Sequence, residues 1–227
     1  TVLLSLLIAL MSGEAKTEVE SQALDRITVT GSDYEGLTGE SVSTTEGVAS
    51  GAQLDQRPVS RPGELLEFVP GLITTQHSGE GKANQFFLRG FNLDHGTDFA
   101  ITVDGLPVNM RTHAHGQGYA DLNFLIPELI ETVAYRKGPY YAEVGDFSAA
   151  GSADLRYKQR LGANEIDLSV GEFGFRRIFG ATSIALYDGD LLVGGSFRHY
   201  NGPFQIEQDI EQINGLVKYT QGDQQDG

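Results

Sequence analysis

Residues 88–105 read LRGFNLDHGTDFAITVDG. Within it, Phe99 to Val103 is a short apolar run bounded by Asp98 and by Asp104-Gly105. That pattern marks a strand closed by a tight turn. A second strand-like run, Gln85 to Arg89, precedes it and breaks at Gly90. Working outward, the same grammar of short apolar runs cut by Gly, Pro and Asp recurs on both sides. Leu72 to Thr75, a turn and strand at Gly105 to Val108, Ile130 to Arg136 and Ser152 to Tyr157 all read as strands. Pro62 to Val69, PGELLEFV, reads as a short amphipathic helix stopped by Pro70-Gly71. Leu122 to Leu129 reads as another. The mixture predicts a small α+β domain of short strands and helices over residues 58–160.

After Arg160 the pattern changes. Ile166, Leu168 and Val170 alternate with Asp167 and Ser169. Leu191, Val193 and Phe197 keep one parity, and Val217 and Tyr219 oppose Leu216 and Lys218. Alternating runs of about 10 residues are what membrane β-barrel strands present, lipid on one side and lumen on the other. Residues 161–227 therefore read as three clear strands and a fourth of an antiparallel sheet.

Composition narrows the function. The 227 residues carry a formal charge of −15, which disfavours nucleic acid, because phosphate contacts need clustered Lys and Arg. There is no Cys, so thiolate metal sites, disulfides and Cys nucleophiles are excluded. Thr1 to Met11, TVLLSLLIALM, is uncharged and too short to span a bilayer as a helix, which takes ~20 residues. With Gly13 and Ala15 behind it, residues 1–15 read as a signal-peptide remnant. Residues 16–57 are polar and read as a flexible segment. One β-prone run, LDRITVT at residues 24–30, interrupts them and suits strand addition to a partner's sheet.

Taken in order, these pieces resemble a TonB-dependent outer-membrane receptor. LDRITVT resembles a TonB box. RPGELLEFVPGL at residues 61–72 resembles the plug's opening helix and turn. Leu88 to Phe91 matches the family's RGF, and Val103-Asp104-Gly105 its VDG. IETVAYRKGP at residues 130–139 resembles the stretch that usually ends in RGP, with Lys137 in place of Arg. Gly145 to Tyr157 resembles the Gly-rich close of the plug, with Gly151-Ser152 for the usual double Gly. The resemblance implies an α+β plug domain followed by the start of an antiparallel transmembrane β-barrel, in the outer membrane of a Gram-negative bacterium. A 22-stranded barrel needs well over 400 residues at ~10 per strand with loops, so the sequence reads as truncated.

The same resemblance implies import of a scarce extracellular solute. Its energy would come from the inner-membrane proton gradient through TonB and the inner-membrane complex that energises it. Asp25, Ile27, Thr28 and Val29 are the implied TonB contacts, and outer-membrane lipid is the implied surround of the strands. Arg89 and Arg136 are the implied plug anchors, facing acidic groups on the barrel wall. Three plug loops, about residues 75–84, 92–98 and 109–119, are implied to face the outside.

Four of the five histidines, His77, His95, His113 and His115, fall in those loops, and His113 and His115 form an HxH pair. Imidazole suits Zn, Cu and Ni. Asp94, Asp98 and Asp121 can add oxygen donors. A divalent-metal or metal-chelate site is therefore expected, with the metal as substrate and no cofactor required. Lys82 and Arg111 keep an anionic ferric siderophore open, since Arg suits planar carboxylates, and Tyr119 is a further ligand candidate. Haem, cobalamin and oligosaccharide remain alternatives of the same family. A periplasmic plug-like binding module and a His-metal hydrolase are readings of other classes. No HExxH, GxSxG or paired-carboxylate helix supports an enzyme.

Overall fold

The computed structural model describes residues 40–41, 43–77 and 79–221. The stretch read as a signal-peptide remnant, residues 1–15, and the run that resembles a TonB box, residues 24–30, lie outside the described residues. In chain order the elements are β1 (Glu40–Ser41), β2 (Glu46–Ser50), helix α1 (Gly51–Gln56), β3 (Leu72–Thr75), β4 (Gln85–Leu88), β5 (Phe91–Asn92), β6 (Phe99–Val103) and β7 (Leu106–Pro107). Then follow β8 (Ile130–Lys137), β9 (Gly151–Tyr157), β10 (Glu165–Val170), β11 (Arg176–Leu186), β12 (Gly189–Tyr200) and β13 (Ile210–Gln221).

One sheet runs β1-β2-β8-β9-β6-β7, antiparallel except for the parallel pair β6 and β9. A second, β3-β4-β5, lies in the same domain. Its 3-10 helix, Pro62–Phe68, opens on Pro at the first helical position, where the missing N–H costs nothing. The Glu64 carboxylate accepts the Ser60 and Arg61 N–H groups at 2.8 and 3.2 Å and caps that end. Leu65, Leu66 and Phe68 are buried with Phe86, Phe99, Ile101 and Leu155 in the core.

The four strands β10 to β13 form one antiparallel sheet in sequence order, with continuous register from Arg176↔His199 to Leu186↔Gly189 and from Gly189↔Gln221 to Tyr200↔Ile210. All four predicted strands are present. Their outward positions are apolar and exposed, including Ile166, Leu168, Val170, Ile178, Ile213 and Val217. Their inward positions meet the plug. Phe179, Ala181 and Leu192 join the plug core. Leu129 sits where Gly194 has no side chain: a Cβ there would lie 2.5 Å from Leu129 Cδ1.

Two expectations are corrected. The stretch read as flexible to residue 57 already contains β2 and α1. Ala49 is fully buried and β2 pairs with β8 from Glu46↔Arg136 to Ser50↔Thr132. Its order comes from main-chain pairing to a distant strand, which a polar local composition conceals. The helix expected at Leu122 to Leu129 is only a 3-10 turn at Pro127–Leu129. Leu122, Leu125, Ile126 and Leu129 are all buried, so the apolar spacing is real. However, Pro127 disfavours helical geometry in the residue before it.

Candidate functional site

Three connections meet beyond the plug sheets: residues 76–84 between β3 and β4, 93–98 between β5 and β6, and 108–119 after β7. Asn109, 9% exposed, stitches two of them. Its amide donates to the carbonyls of Gly96, Phe99 and Gly118 at 2.9, 3.0 and 3.0 Å, and its oxygen accepts the Ile101 N–H at 2.6 Å. With two N–H hydrogens and three acceptors, one contact is shared. The third loop closes on itself, with the Met110 N–H donating to Tyr119 O at 2.9 Å and the Gly118 N–H to Met110 O at 2.8 Å. The Ala120 N–H donates to His95 O at 2.7 Å and ties the third loop to the second. The Tyr119 hydroxyl accepts the Ala83 N–H at 3.2 Å and brings in the first.

This stitching gathers all four loop histidines. The His95 and His115 rings meet edge-on, with centroids 4.5 Å apart. His77 lies 5.0 Å from His95, and His113 stacks on Tyr119 at 4.0 Å. His95 is buried, 4% exposed. Its Nδ1 lies 2.9 Å from the Asn84 carbonyl. A carbonyl only accepts, so Nδ1 carries the proton, and in the neutral ring Nε2 keeps its lone pair. That Nε2 is 3.7 Å from Asp94 Oδ1, and His115 Nε2 is 3.9 Å from the same oxygen. Among the described residues, Asp94, His95 and His115 are the one set of His, Asp or Glu donors drawn together this closely, all within 4.8 Å of one another. His113 stands differently: its Nδ1 accepts the His115 N–H at 3.2 Å.

The remaining candidates fall outside this set. Asp121 Oδ1 accepts the Asn123 N–H at 2.8 Å, and Asp98 receives the Ala150 N–H on its carbonyl. Lys82 and Arg111 are exposed. Tyr119 is half-buried and serves as the packing centre of the cluster. The implied anchors, Arg89 and Arg136, form no ion pair with the described strands β10–β13. Arg136 bonds Glu143 at 2.7 Å, lies 4.0 Å from Glu46 and stacks over Tyr141, all plug residues. The reason is its register, directly across from Glu46. Arg89 is exposed and forms no ion pair among the described residues.

The plug meets the strands through other residues, three of them acids of the plug that pair with bases on the strands. Glu128 takes a two-pronged bond from Arg177 at 2.6 and 3.0 Å. Glu80 pairs with Arg198 at 2.5 Å, and Asp104 with Lys218 at 3.1 Å. The sequence signal for them is the lone Arg or Lys on the inward parity of each strand. Buried Asn84 and Asn109 had no signal at all.

Residues 38–152, just over half of the chain, match the family model of the TonB-dependent receptor plug domain. Among solved structures, the ferric enterobactin receptor of Pseudomonas aeruginosa is similar with a TM-score of 0.52 and 21% identity, over 70% of this chain and 25% of that one. The copper transporter OprC gives 0.53 and 20%, over 72% and 25%. The ferric yersiniabactin uptake receptor FyuA of Yersinia pestis gives 0.55 and 18%, over 77% and 28%. At these identities the likeness is one of fold, and the chain spans about a quarter of each receptor's length. The plug topology, the strands that follow it and the family match agree, and the chain belongs to the TonB-dependent receptors, outer-membrane proteins of Gram-negative bacteria.

Proposed function

We propose that the receptor imports a small extracellular solute that carries a transition metal, either the divalent ion or a chelate of it, with energy delivered by TonB. The observation that carries this is the convergence of His77, His95, His113 and His115, from three separate loops, around Tyr119 and Asp94. Loops collect lone histidines readily, but four gathered at one end of a domain, with two of them beside a carboxylate, include a donor set, Asp94, His95 and His115. Nitrogen and oxygen donors without thiolate suit Zn, Cu and Ni. Orientation supports the reading. Outer-membrane barrels have short periplasmic turns and longer extracellular loops. The β11–β12 connection is only Tyr187-Asp188, whereas residues 201–209 join β12 to β13. Glu80, in the histidine-bearing first loop, donates its N–H to Gln208 on the longer connection. The named cargoes of the similar receptors, ferric siderophores and copper, share a metal centre, although their likeness is one of fold.

The test is growth under metal limitation with Ala at all four histidines, surface expression held equal. Loss of rescue by one metal supports the proposal, and unchanged growth on every metal removes it. In that second case, exposed Lys82 and Arg111 return the reading to an anionic siderophore. TonB engagement has its own check: Ile27→Pro removes a main-chain donor from the proposed added strand, so the variant should lose TonB binding in a pull-down.

A further inference from the structure

We infer that Asp94, His95 and His115 form a three-donor, open-sided site for a late first-row divalent ion, and that His113 positions His115 without binding the metal. This rests on the metal-import reading and goes beyond it in fixing the ligands, their number and the form of the cargo.

The argument starts from which lone pairs are free. His95 spends its Nδ1 proton on Asn84 O, which leaves Nε2 as a neutral donor held in place by burial. An imidazole whose far nitrogen bonds a backbone carbonyl is the usual arrangement of a metal ligand. His113 has the opposite bonding. Its Nδ1 lone pair receives the His115 N–H, so in the neutral ring Nε2 holds the proton. Its ring lies flat on Tyr119, with 17° between the planes. His113 therefore fixes the backbone from which His115 projects.

Spacing agrees. A four-coordinate ion with bonds of about 2.0–2.2 Å sets its donors about 3.4 Å apart. The observed 3.7 and 3.9 Å about Asp94 Oδ1 are slightly wider. The residues that must close the gap are the ones free to do so: the His115 and Asp94 side chains are 51% and 48% exposed, against 5% for His95. One fixed donor and two adjustable ones make a site that can take and release an ion. Closed sites with four protein donors are structural, whereas three donors leave a position for an outside ligand. That position faces the exposed side of the set, so the cargo brings its own donor, water or a chelator. His77 flanks His95 and is not needed to complete the set.

One substitution applied at several positions tests this. Asn keeps a polar atom near the place of Nδ1 and removes Nε2. In His95→Asn the amide N–H still reaches Asn84 O. In His113→Asn the amide oxygen still accepts the His115 N–H. Zn(II), Cu(II) and Ni(II) are titrated in turn against a chromophoric chelator on the detergent-purified receptor. His95→Asn and His115→Asn should each weaken one metal by more than the roughly 10–100-fold that loss of an outer partner costs. His113→Asn keeps the hydrogen bond but loses the ring stacked on Tyr119, and should cost no more than that outer-partner range. Unaltered affinity in His95→Asn and His115→Asn, or an equal loss in His113→Asn, overturns the site. Because a variant may misfold, X-ray absorption of the wild-type receptor loaded with the metal is the second measurement. Two imidazoles at about 2.0–2.1 Å uphold the site, and their absence overturns it. Tight binding at these three residues without metal import upholds the site and removes the import reading. Histidine-dependent import with unaltered binding in the Asn variants does the reverse.

Discussion

In β8 of the plug, past the register shift between Ile130 and Thr132, Val133 and Tyr135 are buried and Arg136 is exposed. In β13 the exposed positions are Ile213, Val217 and Tyr219, while Gln212, Asn214 and Lys218 turn toward the plug. Both strands alternate with period two, yet their polarity is reversed. The difference lies in what surrounds each region. The plug turns charge outward, whereas the four-stranded sheet keeps aliphatic side chains on its exposed face and polar ones toward the plug, the alternation of membrane β-barrel strands. Contact between the two combines the apolar seat of Leu129 at Gly194 with the ion pairs Glu80–Arg198, Glu128–Arg177 and Asp104–Lys218.

Substitutions can break or sharpen this comparison. The largest stability effect is expected in the plug core. Phe68 is fully buried, and Phe68→Ala should cost about 3–5 kcal/mol, read as an earlier plug transition in urea with the barrel transition unmoved. On the strands, Val217→Arg should cost about 2–4 kcal/mol if position 217 lies near the bilayer midplane. It is measured as lost heat-resistant barrel on gels; a neutral result would mean that this face meets water. The neighbouring natural Lys218 escapes that cost by facing inward to Asp104 and Tyr157 O. Between the regions, Glu128→Ala leaves Arg177, only 18% exposed, without its partner. A cost of about 1.5–3 kcal/mol is expected, seen as easier extraction of the plug by urea.

The smallest effect concerns Lys137, which is buried over the Tyr135 ring. Burial, and then the charge of Arg89, hold its ammonium below the ordinary lysine value. The folded chain thus binds this proton less tightly than the unfolded one, so stability rises with pH through the window between the lowered value and 10.5. Lys137→Met should give a gain under about 1 kcal/mol at neutral pH and flatten that rise in a urea series.

Legibility followed the range of the forces involved. Phe99–Val103 and Leu72–Thr75 were readable to the residue because Asp, Gly and Pro punctuate them locally. The strand parity after Arg160 was readable because successive side chains of a strand point to opposite faces, one exposed and one toward the plug. Glu46–Ser50 was not, since its stability comes from pairing to β8, more than 80 residues away. In the site, the histidines stood out by type and loop position. What the sequence left hidden was their division of labour. His95 and His113 look alike as letters, and only the Asn84 carbonyl on one and the His115 N–H on the other distinguish them. The plug anchors were hidden for a related reason. Arg136 meets Glu46 through sheet register, and the strand-facing acids Glu80 and Glu128 belong to no motif.

The most direct measurement is accumulation of isotopically labelled Zn, Cu and Ni by cells that express the receptor, with and without TonB, for the wild type and for His95→Asn at equal surface level. TonB-dependent uptake of one metal, abolished by His95→Asn, is the predicted result. Equal accumulation by wild type and variant for all three metals would contradict metal recognition by the plug.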